Sequence, residues 1–218
     1  KLNFARANPG LWRLVWPFVV LILAQAFLAA ISLNTLSSVR AYVGGEALWS
    51  RGQNDAIYYL NRYAETGDEL IYRRYQQAIA MPLGDRAARI ALEQTPPDIA
   101  AARRGFLQGG NHPDDIAGLI WLFQNFRNID YLKQAIHHWT ATDAPLQAIV
   151  DLAATIHADV GNGSLTREAM ASYKTRIDLI NRHITPLAAA FSQSLGQGSR
   201  AIKAGLTILN MFAAALLI

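Results

Sequence analysis

No charged residue interrupts the chain between Arg13 and Arg40, and this uncharged run, Leu14 to Val39, is the feature that most limits what the sequence can fold into. A helix needs about 20 apolar residues to cross the hydrocarbon core of a bilayer, and the run exceeds that. Ala24-Gln25-Ala26 has the small-residue pattern of a signal-peptide cleavage site. Apolar residues nevertheless continue through Phe27 to Ile31, well past the roughly 7 to 15 of a secretory signal, which favours a retained anchor. A second uncharged run, Ala204 to Ile218, follows Lys203. It makes roughly 22 Å of helix against a core of about 30 Å. With no starting Met, the expectation is a longer polypeptide that completes a second crossing after Ile218.

The basic balance of the chain is explained by where its charges sit. Of 20 Lys and Arg, Lys1, Arg6 and Arg13 precede the first run with no acid among them. The remaining 17 lie between Arg40 and Lys203 with all 16 Asp and Glu, and nearly cancel them. Nucleic-acid binding calls for a basic face, and no such stripe is present. The leading cations fit the rule that positive residues stay inside, which puts the N-terminus in the cytoplasm and the middle of the chain outside. Trp12 and Trp16 suit an interfacial aromatic belt at the cytoplasmic end. The predicted order is a cytoplasmic segment over residues 1–13, a membrane helix over 14–36, a periplasmic domain over 37–200 and the start of a second membrane helix over 201–218. Gln25 and Asn210 are predicted helix–helix contacts within the spans, while Asn34 marks an interface. Cysteine is absent, so no disulfide framework holds the outer region. Its length suffices for one self-sufficient core.

The outer region reads as helices throughout. Tyr173, Ile177, Ile180, Ile184, Leu187 and Phe191 are spaced 4-3-4-3-4, and Leu146, Ile149, Ala153, Ile156 and Val160 are spaced 3-4-3-4. These are the narrow seams of helices packed at shallow angles. A third face runs Ile116, Leu119, Phe123 and Phe126, then resumes at Leu132, Ile136 and Trp139. Gly67 predicts a helix end, with Asp68 capping the next helix. Met81 to Asp85 predicts an interruption or kink, and Thr95-Pro96-Pro97-Asp98 a start with Thr95 as cap. Gly109 to Asp115 predicts a stop and restart, Asp143-Ala144-Pro145 a weaker one, and Gly161 to Ser164 a turn with Ser164 as cap. Pro186 predicts a kink in the last helix. The fold class is all-α: a membrane-anchored up-down bundle of about four core helices, with an extra short one, between two transmembrane helices.

Reactive constellations are missing from the sequence. It holds no phosphate-binding loop, zinc-protease motif, nucleophile elbow or cysteine nucleophile. His137 and His138 are adjacent, so on a helix they diverge by about 100° instead of sharing a metal as an i, i+4 pair would. Catalysis, cofactors and metal are therefore not expected within these residues. Gly109 to Asp115 allows two readings. Two glycines let a backbone approach a ligand, with Asn111 and His112 offering polar groups. Alternatively, Gly-Gly closes one helix and the two acids complement the dipole of the next. Trp49, several tyrosines and Trp121 are interleaved with arginines including Arg62 and Arg74. Such groups can assemble a small-molecule pocket between helices, or serve as bundle-edge packing with solvated tips. The candidate ligand residues are thus Trp49, Arg62, Arg74, Asn111, His112 and Trp121.

Leu48 to Leu60 (LWSRGQNDAIYYL), Pro82-Leu83-Gly84-Asp85-Arg86 and Gly109 to Ile116 (GGNHPDDI) resemble stretches in the N-terminal input regions of proteobacterial membrane signalling proteins. The likeness covers Arg40 to Trp139, and the remainder in layout alone. Those proteins commonly carry diguanylate cyclase (GGDEF) and phosphodiesterase (EAL) modules, often with PAS domains, after the second membrane helix. The resemblance implies a helical periplasmic sensor in the bacterial inner membrane, usually a homodimer, with a cytoplasmic output controlling cyclic-di-GMP beyond Ile218. It transfers no catalytic or ligand-binding residue. Its implied partners are the lipid bilayer, a second copy and an unidentified small molecule or periplasmic protein. The alternatives are the input module of a chemoreceptor or histidine kinase, and a membrane accessory subunit that binds another protein.

Overall fold

The computed structural model describes residues 9–216, and every regular element among them is helical. Lys1 and Arg6 lie outside the described residues, as do the surroundings of the Trp12 side chain. The helices are α1 (Pro9–Thr66), α2 (Glu69–Glu93), α3 (Ile99–Gln108), α4 (Ile116–Phe126), α5 (Asp130–Ala141), α6 (Asp143–Gly161) and α7 (Arg167–Ala215). The chain separates into two compact units. One comprises the residues up to Ser37 together with those from Arg200, and the other is Ser38–Ser199.

Helix ends follow local chemistry. Gly67 adopts φ +63 after α1, a left-handed stop that glycine takes without a Cβ penalty. The Asp68 carboxylate then caps α2 by accepting from the Leu70 N–H at 2.8 Å. At the start of α3 the cap is Asp98, which accepts from the Ala101 N–H at 2.8 Å, rather than Thr95. Before α7 it is Thr166, accepting from the Ala169 N–H at 3.2 Å. Ser164 instead bonds back to the Asp159 carbonyl. In both cases the cap nearest the first free N–H groups wins over a candidate further upstream. α2 runs unbroken through Pro82 and α7 through Pro186. Pro82 is buried beside Gly52 of α1, where tertiary packing outweighs one missing hydrogen bond. The third apolar face is two helices, α4 and α5, separated at Arg127–Ile129.

In the first unit, stretches of α1 and α7 lie side by side. Asn210 Nδ2 donates to Ser32 Oγ at 2.7 Å, and Gln25 Nε2 lies 3.5 Å from the Asn210 carbonyl. The predicted polar contacts therefore join two helices of one chain. Phe18, Ile22, Leu23, Phe27 and Leu33 of α1 face outward, as do Ile208, Met211 and Phe212 of α7. α1 is long and apolar enough to cross a membrane: its most apolar 18-residue stretch has a mean hydropathy of 2.2 and is 6% buried. Among the described residues it is the one helix that meets both conditions.

In the second unit a seam of α1 runs inward through Val39, Tyr42, Trp49, Gln53, Ala56, Leu60 and Tyr63. Tyr173, Ile177, Ile184 and Phe191 of α7 are buried. So are Leu146, Ile149, Ala153 and Ile156 of α6, and Ile116, Leu119 and Phe123 of α4. At helical spacing these residues form stripes whose burial removes apolar surface from water, worth about 25 cal/mol per Å².

Candidate functional site

Glycines set the geometry of the core. Gly84 of α2 and Gly105 of α3 approach so closely that a Cβ on Gly84 would lie 2.7 Å from the Gly105 carbonyl oxygen. Only hydrogen fits there. The crossing brings Asp85 beside Gly109 at the end of α3, where a Cβ on Gly109 would fall on the Asp85 carboxyl. Gly110 then turns the chain at φ +82. Asn111 follows, its Nδ2 donating to Asp85 Oδ1 at 2.9 Å and to the Phe106 carbonyl at 3.1 Å. Its Oδ1 abuts Gly45 of α1, whose Cβ would stand 2.6 Å away. A carboxyl and an amide are thereby wedged among three helices. Burial, partly offset by the Asn111 hydrogen bond, pushes the Asp85 carboxyl up to about 8.

Around this pair lies a small cavity, with about 20 Å³ of room for water centres, enough for about one molecule. Tyr42, Gly45, Glu46 and Trp49 line it from α1, and Phe106 and Leu119 close it from α3 and α4. Trp139 of α5 and Phe191 of α7 complete the wall. Phe191 stacks on Trp139 with centroids 5.5 Å apart and meets Trp49 edge-on at 6.0 Å. The Tyr42 hydroxyl, Trp49 Nε1 and Trp139 Nε1 are buried without a protein acceptor. Each such donor costs about 1 to 3 kcal/mol unless something accepts from it. All three belong to residues that line this cavity. Burial, reinforced by Asp85, holds the Tyr42 hydroxyl far above its ordinary pKa, so it stays a donor at any physiological pH.

Behind Trp139 stands Arg89 of α2, 2% exposed, with its guanidinium 5.5 Å from the ring centroid. It pairs with Glu93 at 3.0 Å and with Asp143 of α6 at 2.5 Å, while Arg86 Nε lies 3.6 Å from the same Asp143. This cluster fixes the wall rather than entering the cavity. Elsewhere Tyr63 Oη lies 2.7 Å from His157 Nδ1, and the imidazole stacks on Tyr72 at 4.0 Å with 6° between planes. Burial first, then Glu69 and Tyr72, push the Tyr63 hydroxyl up to about 12.

The structure brings two of the six candidate residues together: Trp49 and Asn111 both line the cavity. Arg62 is 52% exposed, 4.0 Å from Glu65. Arg74 lies exposed over the Tyr59 ring, and His112 is 68% exposed beside Asp114. Trp121 meets Phe126 edge-on, away from the cavity lining. The Gly109–Asp115 loop combines its two readings, because it ends α3 and also delivers Asn111 to the core. Sequence reasoning missed Tyr42, Asp85, Arg89 and Trp139. A signal for Asp85 and Arg89 was present: they fall in register with the buried Tyr75, Ala78, Pro82 and Leu92 of α2. Polar residues at apolar positions are the informative exceptions to burial. Among the described residues no group of three or more His, Asp or Glu is placed to hold a metal. No family model, curated protein or solved structure matches the chain.

Proposed function

We propose that the chain is the sensory input module of a bacterial inner-membrane receptor. In this reading α1 and the end of α7 make two membrane crossings, with both termini in the cytoplasm. The helices between them form an up-down bundle outside. Occupancy of the core cavity shifts the balance between two packings of that bundle. α7 carries the shift across the membrane as a slide, tilt or rotation of about 1 to 2 Å. A dimeric cytoplasmic output beyond Ile218, of the diguanylate cyclase or phosphodiesterase type, reads it as a change in the spacing of its halves.

The observation that carries this reading is the make-up of the cavity. Its wall includes Tyr42 and Trp49 of α1 and Phe191 of α7, the two helices that also supply the outward-facing apolar surface of the first unit. Topology is the first test, and the natural absence of cysteine makes it clean. Single cysteines replacing Asn3 or Asp115 are exposed to a membrane-impermeant maleimide. Labelling of the residue-115 cysteine in intact spheroplasts, and of the residue-3 cysteine only after lysis, is expected. The reverse pattern, or labelling of both without lysis, overturns the reading.

A further inference from the structure

Around His157 of α6, three side chains from two other helices converge near the α1–α2 junction. The imidazole Nδ1 lies 2.7 Å from the Tyr63 hydroxyl of α1 and 3.9 Å from Glu69 Oε2 of α2. The ring stacks on Tyr72 of α2 at 4.0 Å with 6° between planes. Tyr63 is wholly buried, whereas the His157 side chain is 44% exposed and that of Glu69 54%. Solvent therefore reaches the imidazole but not the phenol beneath it. Neighbouring charges are engaged elsewhere. Asp159, two residues further along α6, accepts from the Tyr173 hydroxyl of α7. Glu65 of α1 pairs with Lys174 of α7 at 2.6 Å and lies 4.0 Å from Arg62.

One ring nitrogen thus has two partners that favour opposite protonation states. Burial, then Glu69 and Tyr72, push the Tyr63 hydroxyl up to about 12. The phenol keeps its proton and donates it to an unprotonated Nδ1, which leaves the imidazole hydrogen on Nε2. In the imidazolium both nitrogens are donors. Nδ1 then offers Tyr63 nothing to donate to, and the Glu69 carboxylate becomes its favoured acceptor. The face of Tyr72 adds attraction for a positive ring. Histidine is the side chain that ordinarily changes charge between about pH 5 and 8.

We propose that His157 is a proton-driven partner switch: neutral, it ties α6 to the last turn of α1 through Tyr63, and protonated, it ties α6 to the first turn of α2 through Glu69. The exchange acts on a tight corner. Gly67, between the two helices, has φ +63, and its N–H donates to the Tyr63 carbonyl at 2.8 Å. A Cβ on Gly67 would lie 3.3 Å from Val160 of α6. Moving the tie from one side of this glycine to the other changes how the three helices are pinned together. Only the use of the switch, as a sensor of acidity outside the membrane, rests on the reading of the bundle as an input domain.

The test is an NMR titration of the full chain in nanodiscs, with isotope-labelled histidine, over about pH 5 to 8. The ring resonances missing in His157→Gln identify the residue. At the alkaline end the hydrogen is expected on Nε2. Tyr63→Phe removes the partner of the neutral ring and should raise the His157 midpoint. Glu69→Gln removes the partner of the charged ring and should lower it. Each shift should be about 0.3 to 1 unit, a roughly two- to tenfold change in proton affinity. The Glu69 effect should shrink at high salt, because that pair is exposed. Amide exchange at Gly67, corrected for its intrinsic pH dependence, should step at the same midpoint and lose the step in His157→Gln. Anything other than opposite shifts in the two variants overturns the proposal, as does hydrogen on Nδ1 at the alkaline end or a Gly67 step that survives in His157→Gln. If the shifts occur and the topology test fails, the switch stands and the input reading falls. If topology holds without the shifts, the switch alone is wrong.

Discussion

Asn111 Nδ2 donates to Asp85 Oδ1 at 2.9 Å, joining a residue of the α3–α4 loop to the middle of α2 inside the core. Both groups are buried, and the same Nδ2 also reaches the Phe106 carbonyl. The bond therefore holds the loop against α2 and partly satisfies an acid that burial has made weak.

Replacing Asn111 with Ala should leave the Asp85 carboxyl without its amide. We expect a loss of about 1 to 3 kcal/mol. Thermal unfolding followed by tryptophan fluorescence would show it, and an unchanged midpoint would mean that the bond contributes nothing.

Asp85→Asn should change stability in a pH-dependent way. The folded carboxyl titrates at about 8 against an ordinary 3.8. Between those values the folded state binds more protons than the unfolded one, so stability falls as pH rises through the window. Tyr42, Asn111 and Glu46 surround the group, with Arg89 and Glu93 beyond them. The Asn variant should match the native chain near pH 4.5 and melt higher above pH 8, by about 3 to 6 °C for each 1 to 2 kcal/mol recovered. Parallel pH profiles for the two proteins would refute the assignment.

Much of the helical layout was legible from spacing alone. Tyr173, Ile177, Ile184 and Phe191 are buried on α7, and Ile116, Leu119 and Phe123 on α4, because a 3.6-residue period fixes which side chains share a face. Gly67 and Asp68 mark the α1–α2 junction through backbone chemistry that is local to those residues. Of the cavity, Trp49 and Asn111 were legible as an aromatic and a loop amide. Asp85 and Trp139 were not, because what makes them part of a site is a meeting of α2 and α5 across many residues of chain. The close approach at Gly84 and Gly105 is equally hidden, since a helical glycine announces a cost but not the neighbour that demands it. Prolines misled for the same reason: at Pro82, burial beside Gly52 decided the outcome, and burial is not local.

Glycine substitutions should separate packing from propensity. Gly105→Ala would place a methyl 2.6 Å from the Ala88 nitrogen and force α2 and α3 apart. We expect a cost of about 1 to 3 kcal/mol or more, as for other overpacked cores. At Gly161 nothing lies within 4 Å of an added Cβ. There Ala should stabilise by about 0.4 to 1 kcal/mol, through the unfolded chain. Denaturant midpoints that move in the same direction for both variants would contradict this contrast.

Arg89→Met would remove a guanidinium that is 2% exposed and leave Glu93 and Asp143 without it. A fully buried pair broken this way costs about 3 to 5 kcal/mol. Solvent reaches both acids, so we expect about 2 kcal/mol. Arg86 remains 3.6 Å from Asp143 as partial compensation. A chemical denaturation curve would show the loss, and an unshifted midpoint would exclude any stabilising role for Arg89.

The proposed function requires that the state of the core cavity be transmitted along α7 toward its C-terminal end. Single cysteines at successive positions from Ala204 to Phe212, in a chain with none of its own, allow disulfide cross-linking between copies to be profiled in native membranes. The account predicts that Asp85→Asn and Trp139→Phe move the cross-linking maximum to different positions along α7 than in the native chain. One profile shared by the native chain and both variants would contradict it.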